Sequence, residues 1–512
     1  MADTRALAAE APRLERGWAS LEDVLDRIDA AERPTVALSI TGGGASGAWQ
    51  AGVIAALLEA IERRRRERGA CKASPRLVIG TSAGALNAFA FLLQSLRPRT
   101  AAAPEGRDEP LVTSVWRAIG EGNHGARFVT GRRAPLLAWI TRWRKWRPLR
   151  WTAALVAGVI GLALVNPVLL GIVARGPEPV ASLGKAILAR PVLATALGAA
   201  LLVIALGVVF LTFGRALFRN AALQSTLAQA ARACLAGEAP SYRGLRRRMS
   251  LGEQQRVAAA LVSAWARAPD APELIVTATD LTARWECLFA LASQERCRLL
   301  AERSWEVGRI GPGTTATPLT ARHLAAVPER DLLRCVVAST SIPGVFPSQR
   351  IRMSRLDGSG RDVVHDFVDG GVLNNSPMNV ALDAGATHVI SIELDPLKDV
   401  PPLDAAAPSG GEPLVPENLG ETFATLLNLA TTEDVVRTVE ANHLRAQRSS
   451  APMHVYRIAP PTRDLGTLDF DGHYVRPFAA PSPSLVTWME SGARHARDTD
   501  RPFWIATYEP AP

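Results

Sequence analysis

A large α/β domain carrying a membrane insertion is what this 512-residue sequence predicts, and three observations predict it. Two apolar runs lead directly into glycine motifs that open helices, Gly42-Gly43-Gly44-Ala45-Ser46-Gly47 and Gly80-Thr81-Ser82-Ala83-Gly84. A third motif, Asp369-Gly370-Gly371, closes a later strand-like run. Between the second and third motifs lie two stretches, residues 151–174 and 191–214, each 24 residues long without a charged side chain.

The first strand is Thr35-Val36-Ala37-Leu38-Ser39-Ile40, and the apolar spacing from Ala48 to Ile61 continues as a helix. Backbone N–H groups at such a strand-to-helix loop point outward and can hold an anion. Nucleotide binding is the rival use. A phosphate loop needs Lys then Ser or Thr after its last glycine, and Gly47 is followed by Ala48-Trp49. The second strand is Leu77-Val78-Ile79, and the helix from Ala83 to Ala90 follows Ser82 at a sharp turn. This is the pattern of a nucleophile elbow, with Gly80 and Gly84 leaving room for a strained backbone and close helix packing. The third strand spans Val363 to Val368 and ends at Asp369, before Asn374-Asn375-Ser376-Pro377 opens another helix. An Asp-Gly-Gly string alone is usually a turn. Its company gives it meaning: Val276-Thr277-Ala278-Thr279-Asp280-Leu281 and Ala338-Ser339-Thr340-Ser341-Ile342-Pro343-Gly344-Val345-Phe346-Pro347 lie upstream.

Together these residues resemble the patatin-like phospholipases, over residues 34–96 and 274–395 and more weakly beyond. The resemblance implies a three-layer α/β/α sandwich with a mostly parallel central sheet, and a lipid acyl hydrolase that uses a Ser-Asp dyad. Carried onto this chain, Ser82 is the nucleophile, Asp369 its general base, and the backbone of Gly43, Gly44 and Ala45 the oxyanion hole. Gly42, Gly47, Gly80, Gly84, Gly370 and Gly371 are the motif glycines. Many members carry Arg or Lys where this chain has Ser46, so the resemblance carries no positive charge near the hole over to this chain. The expected substrate is a phospholipid or another lipid ester, in a phospholipase A or lysophospholipase reaction, with no cofactor and no metal. A membrane scaffold that kept the fold without activity is the alternative.

A Ser-His-Asp triad is the nearest mechanistic rival, since His388, His443, His454, His473 and His495 all follow Ser82 in the order of α/β-hydrolases. His388 reads as the start of a buried strand, and His365 stands near Asp369 in sequence. A transporter subunit is the different-class rival, because Ser250-Leu251-Gly252-Glu253-Gln254-Gln255-Arg256 resembles an ABC signature. Its prerequisites are missing, and the string is read as an ordinary helix start.

Both charge-free stretches exceed the roughly 20 residues needed to cross a bilayer core and are expected to form a two-helix transmembrane hairpin. Asn166-Pro167 interrupts the first near its centre. Ser82 precedes the pair and Asp369 follows it, so a shared active site demands an even number of crossings. Arg142, Arg144, Lys145, Arg147 and Arg150 flank one side and Arg215 and Arg219 the other, which places the catalytic domain in the cytoplasm. Trp139, Trp143, Trp146 and Trp151, interleaved with those cations, form an anchor at the headgroup level, where basic residues attract anionic lipid.

Composition sets the remaining bounds. The net charge is +9, but no nucleic-acid-binding motif accompanies it, so no nucleic-acid partner is expected. Five scattered cysteines suit a reducing compartment. An arginine-dominated, alanine-rich chain points to a GC-rich genome and a bacterial inner membrane. The run from Arg63 to Arg66 reads as a helix C-terminus on a solvated face. In outline, 1–33 is a helical leader and 34–98 the first part of the catalytic domain. Residues 99–138 form a linker and connecting segment, 139–219 the anchor and hairpin, and 220–270 a helical segment. Residues 271–395 are the second part of the catalytic domain, and 396–512 a surface loop and C-terminal extension.

Overall fold

The computed structural model describes residues 14–97, 110–120, 178, 220–238, 242–245, 247–282, 285–307, 329–343, 346–354, 362–394, 452–461 and 484–508. The chain divides into two compact units, one of residues 1–128, 220–343 and 347–512 and the other of 129–219 with 344–346. Nearly all described residues belong to the first. The expected hairpin at 151–174 and 191–214, and the tryptophan anchor, lie outside the described residues.

Ten described strands form one sheet: β1 Leu14–Ala19, β2 Val36–Ile40, β3 Leu77–Thr81, β4 Glu273–Asp280, β5 Trp285–Leu291, β6 Gln349–Ser354, β7 Asp362–Asp369, β8 His388–Ile392, β9 Met453–Ile458 and β10 Phe503–Tyr508. Their order is β1-β10-β9-β8-β2-β3-β4-β7-β6, with β5 also on β4. Among helices, α1 is Leu21–Ala30, α2 Gly47–Arg68, α3 Ala83–Leu96, α4 Leu111–Gly120, α5 Asn220–Leu235, α6 Tyr242–Leu245 and α7 Leu251–Ala266. The series continues with α8 Gln294–Val307, α9 Leu332–Ser339, α10 Met378–Asp383 and α11 Leu485–Asp498.

The central strands β2, β3 and β8 are buried along their whole length and mostly apolar because both faces are covered. Ala37, Ile79, Ile275, Val389 and Val455 share a core with Met378, Val380 and Leu382 of α10 and Leu300 of α8. The alternating residues Leu38, Val78, Leu274 and Ile390 are equally buried on the opposite face. The parallel core is β9-β8-β2-β3-β4. The expectation of a mostly parallel sheet needs correction, since the flanks run the other way: β1 with β10, β10 with β9, β4 with β5 and with β7, and β6 with β7. The sheet is mixed. A hairpin neighbour such as β5 needs only a short connection, whereas a parallel neighbour needs a crossover.

The leader is not wholly helical, because Leu14–Ala19 forms an edge strand paired with β10. Its helix α1 starts at a capping box, with Ser20 Oγ accepting from the Asp23 amide at 3.1 Å. The solvated reading of the arginine run also fails for Arg64, whose side chain is 2% exposed. It binds Glu22 at 2.5 Å, Asp26 at 2.7 Å and Asp29 at 3.2 Å, fastening α1 to α2. The signature-like string is a helix start, as expected. Ser250 caps α7 and Glu253 reaches back to the Ser250 amide at 2.8 Å.

One described helix, Gly44–Arg68, is long and apolar enough to cross a membrane, but 83% of its apolar window is buried within the fold. It is a core helix that α11 covers: a Cβ on Gly52 would overlap the Met489 carbonyl, and one on Gly492 the Trp49 carbonyl.

Candidate active site

Strand β4 brings the two halves of the site together. Its other edge is occupied by β5 from Leu274 to Asp280, so β3 and β7 must share the remaining edge. Thr81 at the end of β3 lies opposite Thr277, and Asp369 at the end of β7 lies opposite Ala278, the next residue. Two strands approaching head to head along one edge therefore end within a residue of each other. Ser82 Oγ donates to Asp369 Oδ2 at 2.6 Å across 287 residues of chain.

Ser82 adopts φ 54° and ψ −122°, the one non-glycine residue with positive φ among the described residues. That conformation strains an L-residue and is the mark of a nucleophile elbow. Surrounding contacts hold it. The Ser82 amide donates to Ser339 Oγ at 2.8 Å, and the Ser82 carbonyl accepts from Ala85 at 3.0 Å as α3 begins. A Cβ on Gly84 would overlap the Ile40 carbonyl, so only glycine lets α3 start this close to β2. Gly80 packs in the same way against the Gly84 carbonyl.

Asp369 is 4% exposed, and its backbone is tied by the Asp369 amide to the Ser341 carbonyl at 3.0 Å and by Thr279 Oγ1 to the Asp369 carbonyl at 2.9 Å. Oδ1 accepts from the Gly371 amide at 2.7 Å, leaving Oδ2 for Ser82. Burial pushes the carboxyl up to about 7, against the smaller lowering effects of the Ser82 and Gly371 hydrogen bonds. Gly370 packs its backbone on Thr277, where a Cβ would not fit.

The glycine loop lies against Ser82. A Cβ on Gly42 would stand 3.0 Å from Ser82 Cβ, and one on Gly47 2.6 Å from Ala83 Cβ. The Gly42 amide is spent on the Asn375 carbonyl at 3.2 Å, and Ser46 and Gly47 close a 3-10 turn back onto the loop. The amides of Gly43, Gly44 and Ala45 have no hydrogen-bond partner among the described residues, nor does that of Ala83. These are the donors an oxyanion requires. Gly44, at φ 57°, makes the turn that presents them.

Behind the loop runs a buried polar chain. Gln50 Nε2 donates to the Thr41 carbonyl at 2.9 Å, Asn87 Nδ2 to the Gly47 carbonyl at 2.9 Å and to Gln50 Oε1 at 3.2 Å, and Trp116 Nε1 to Asn87 Oδ1 at 2.6 Å. Nothing in the sequence motifs marks Gln50, Asn87, Trp116 or Ser339 for these roles. Ser339 stands in a segment quoted with the motifs, and Gln50 and Asn87 stand in the helices that the first two motifs open, but no pattern distinguishes them from their neighbours.

No described histidine is hydrogen-bonded to Ser82, whose side chain and amide meet Asp369 and Ser339. His388 opens β8 opposite Val36, at the far end of the parallel strands from Ser82, and stacks on His454 with 4.5 Å between ring centroids. Burial lowers its pKa to about 4. His365 binds Asp280 at 2.6 Å rather than Asp369, and His495 binds Thr499 at 3.1 Å. His443 and His473 lie outside the described residues. Among the described residues no group of three His, Cys, Asp or Glu side chains is placed to hold a metal ion.

Comparison with known proteins adds the family. No curated protein matches the chain. A solved structure, VipD from Legionella pneumophila, aligns over 99% of this chain and 73% of its own at 12% identity, with a TM-score of 0.27, a likeness too slight to carry an argument. The sequence matches the model of the patatin-like phospholipase family over residues 38–168 and 213–382, which include the glycine loop, Ser82 and Asp369. With more than half of its length matched, the chain belongs to the patatin-like phospholipases, a family of lipid acyl hydrolases.

Proposed function

We propose that this protein is a membrane-associated serine lipid acyl hydrolase, of phospholipase A or lysophospholipase type, working through Ser82 and Asp369. The observation that carries it is the 2.6 Å hydrogen bond from Ser82 Oγ to a buried Asp369 carboxylate beside three unspent amides. As Ser82 Oγ attacks the ester carbonyl, its proton passes to Asp369 Oδ2. The carbonyl oxygen takes the negative charge against the amides of Gly43, Gly44 and Ala45. Asp369 then returns the proton to the departing alcohol, leaving an acyl-serine. Water, deprotonated by the same carboxylate, attacks that ester and regenerates Ser82. An ordinary carboxylate is a poor base for a hydroxyl. With a pKa of about 7, Asp369 combines ionisation at neutral pH with greater basicity.

The two apolar stretches at 151–174 and 191–214 support a two-span anchor, with the catalytic domain on the cytoplasmic side of a bacterial inner membrane and the Trp139 to Trp151 segment at the headgroups. β3 precedes that insertion and β4 follows it, and the two pair residue for residue. The chain must return to the side it left, so two crossings satisfy the pairing and one does not.

The test is labelling of membranes by a serine-reactive fluorophosphonate, comparing the natural protein with Ser82→Ala and Asp369→Asn, followed by phospholipid and lysophospholipid panels. Labelling is expected only with Ser82 present, and labelling that persists in Ser82→Ala overturns the site. Recovery of the full chain in the soluble fraction without detergent overturns the anchor.

A further inference from the structure

Beside the dyad stands Ser339, the last residue of α9, fully buried and outside the proton path of the proposed reaction. Its hydroxyl accepts the Ser82 amide at 2.8 Å. We propose that Ser339 is a positioning residue that locks the strained elbow and, by occupying the Ser82 amide, turns the oxyanion toward the glycine loop. The proposal rests on the Ser82-Asp369 reading and deepens it.

Where a nucleophile's own amide is free, it can contribute to the oxyanion site. Here that amide points instead at a fixed acceptor. The donors left unspent are Gly43, Gly44 and Ala45 on one side, with Ala83 at the head of α3. The carbonyl oxygen of a bound ester is therefore directed to the space between the Gly42–Gly47 loop and Ala83, which lie against each other, and away from the Ser82 amide.

Several contacts make Ser339 a firm support. It ends a helix packed against β4 and β7, the two strands that carry the dyad's register. The next turn is tied back to α9, with Ser341 Oγ donating to the Val337 carbonyl at 2.7 Å. The carbonyl of Ser341 then receives the Asp369 amide at 3.0 Å. One short segment thus touches the nucleophile through a side chain and the base through its main chain. At Ser82, with φ 54°, the amide bond to Ser339 opposes relaxation toward an ordinary backbone conformation.

The experiment compares Ser339→Ala, Ser339→Thr and Thr340→Ala in the full-length protein. Thr340 serves as the control because its hydroxyl bonds only within its own helix end. Ser339→Ala is expected to slow fluorophosphonate labelling and kcat by about 30- to 100-fold, the scale of a misplaced reacting group, with KM within about twofold of the natural protein. Ser339→Thr, which retains the acceptor, is expected to recover most of that loss, and Thr340→Ala to match the natural protein. The pH midpoint set by Asp369 should not move. Labelling of Ser339→Ala within about threefold of the natural protein overturns the proposal, as does an equal loss in Thr340→Ala. If Ser339→Ala does not fold, Ser339→Cys, with a weaker acceptor of similar size, is judged by the same criterion. A natural protein that itself fails to label sinks the dyad reading instead, so the two failures are distinguishable.

Discussion

Ser82 and Asp369 end neighbouring strands on one edge of β4, yet the fold stresses them in different ways. At Ser82 the stress is conformational: the backbone sits at φ 54° while the side chain makes an ordinary hydrogen bond. At Asp369 the backbone is relaxed, at φ −48° and ψ 133°, and the stress is electrostatic, a carboxylate held at 4% exposure with its pKa raised to about 7. The elbow requires a particular shape, and the base requires a particular charge cost. Substitutions should therefore separate activity from stability differently at the two positions.

The largest effect expected is on rate. Ser82→Ala should lower ester hydrolysis by about 10⁴-fold or more, and Asp369→Asn by about 10³- to 10⁴-fold, measured under single-turnover conditions. Stability should divide the two. With a folded pKa of about 7 against an ordinary value of 3.8, the folded protein holds a proton between those pH values that the unfolded chain has released. Stability therefore falls as pH rises from about 4 to 7, by an amount on the order of 4 kcal/mol for this group alone. Asp369→Asn, which cannot ionise, should be more stable than the natural protein at about pH 8, and the gain should vanish near pH 4. Equal denaturant midpoints at both pH values would break the contrast.

On the proposed dyad, the same ionisation governs turnover. Labelling rates should fall about tenfold per pH unit below a midpoint near 7 and stay level above it, because Asp369 must be ionised to accept the Ser82 proton. Gly42→Ala should slow labelling by about 10- to 100-fold with little change in KM, since the new Cβ meets both the Asn375 side chain and Ser82 Cβ. The smallest effect isolates the elbow. Ser82→Gly and Ser82→Ala both lack the hydroxyl, and the glycine variant should be the more stable by about 1 kcal/mol because it relaxes at positive φ. An alanine variant as stable as glycine would remove the case for strain.

How much of the molecule is legible in the sequence follows from how local each signal is. Ser82 and Asp369 each stand between an apolar strand and a glycine turn, a pattern carried by a few neighbouring residues, and the structure places both between the flanking elements that this pattern predicts. The antiparallel flanks have no such signal. Leu14 pairs with Tyr508, and no neighbouring residue points to a partner that far along the chain. β6, with Arg350 and Arg352 alternating with Ile351 and Met353, carries a half-exposed pattern that a search for buried strands passes over. Ser339, Gln50 and Asn87 are polar residues whose roles exist only once a helix has been set against a loop. Arg64 is 2% exposed where Arg63, which also reaches Glu22 of α1, is 46% exposed and Arg65 30%, and the sequence of the arginine run does not distinguish it.

The arrangement along β4 also bears on the order of folding. A hydrogen bond closed over 287 residues cannot form until β3 and β7 have both been paired with β4. Contacts of such long sequence separation form late. A nascent chain that has completed the glycine loop and Ser82 lacks the Asp369 carboxylate that Ser82 Oγ meets in the folded protein, and the amide of Ser82 has no Ser339 to meet. On the proposed dyad, catalytic competence is therefore a property of the completed sheet, and a partly synthesised or truncated chain is expected to show no hydrolase activity.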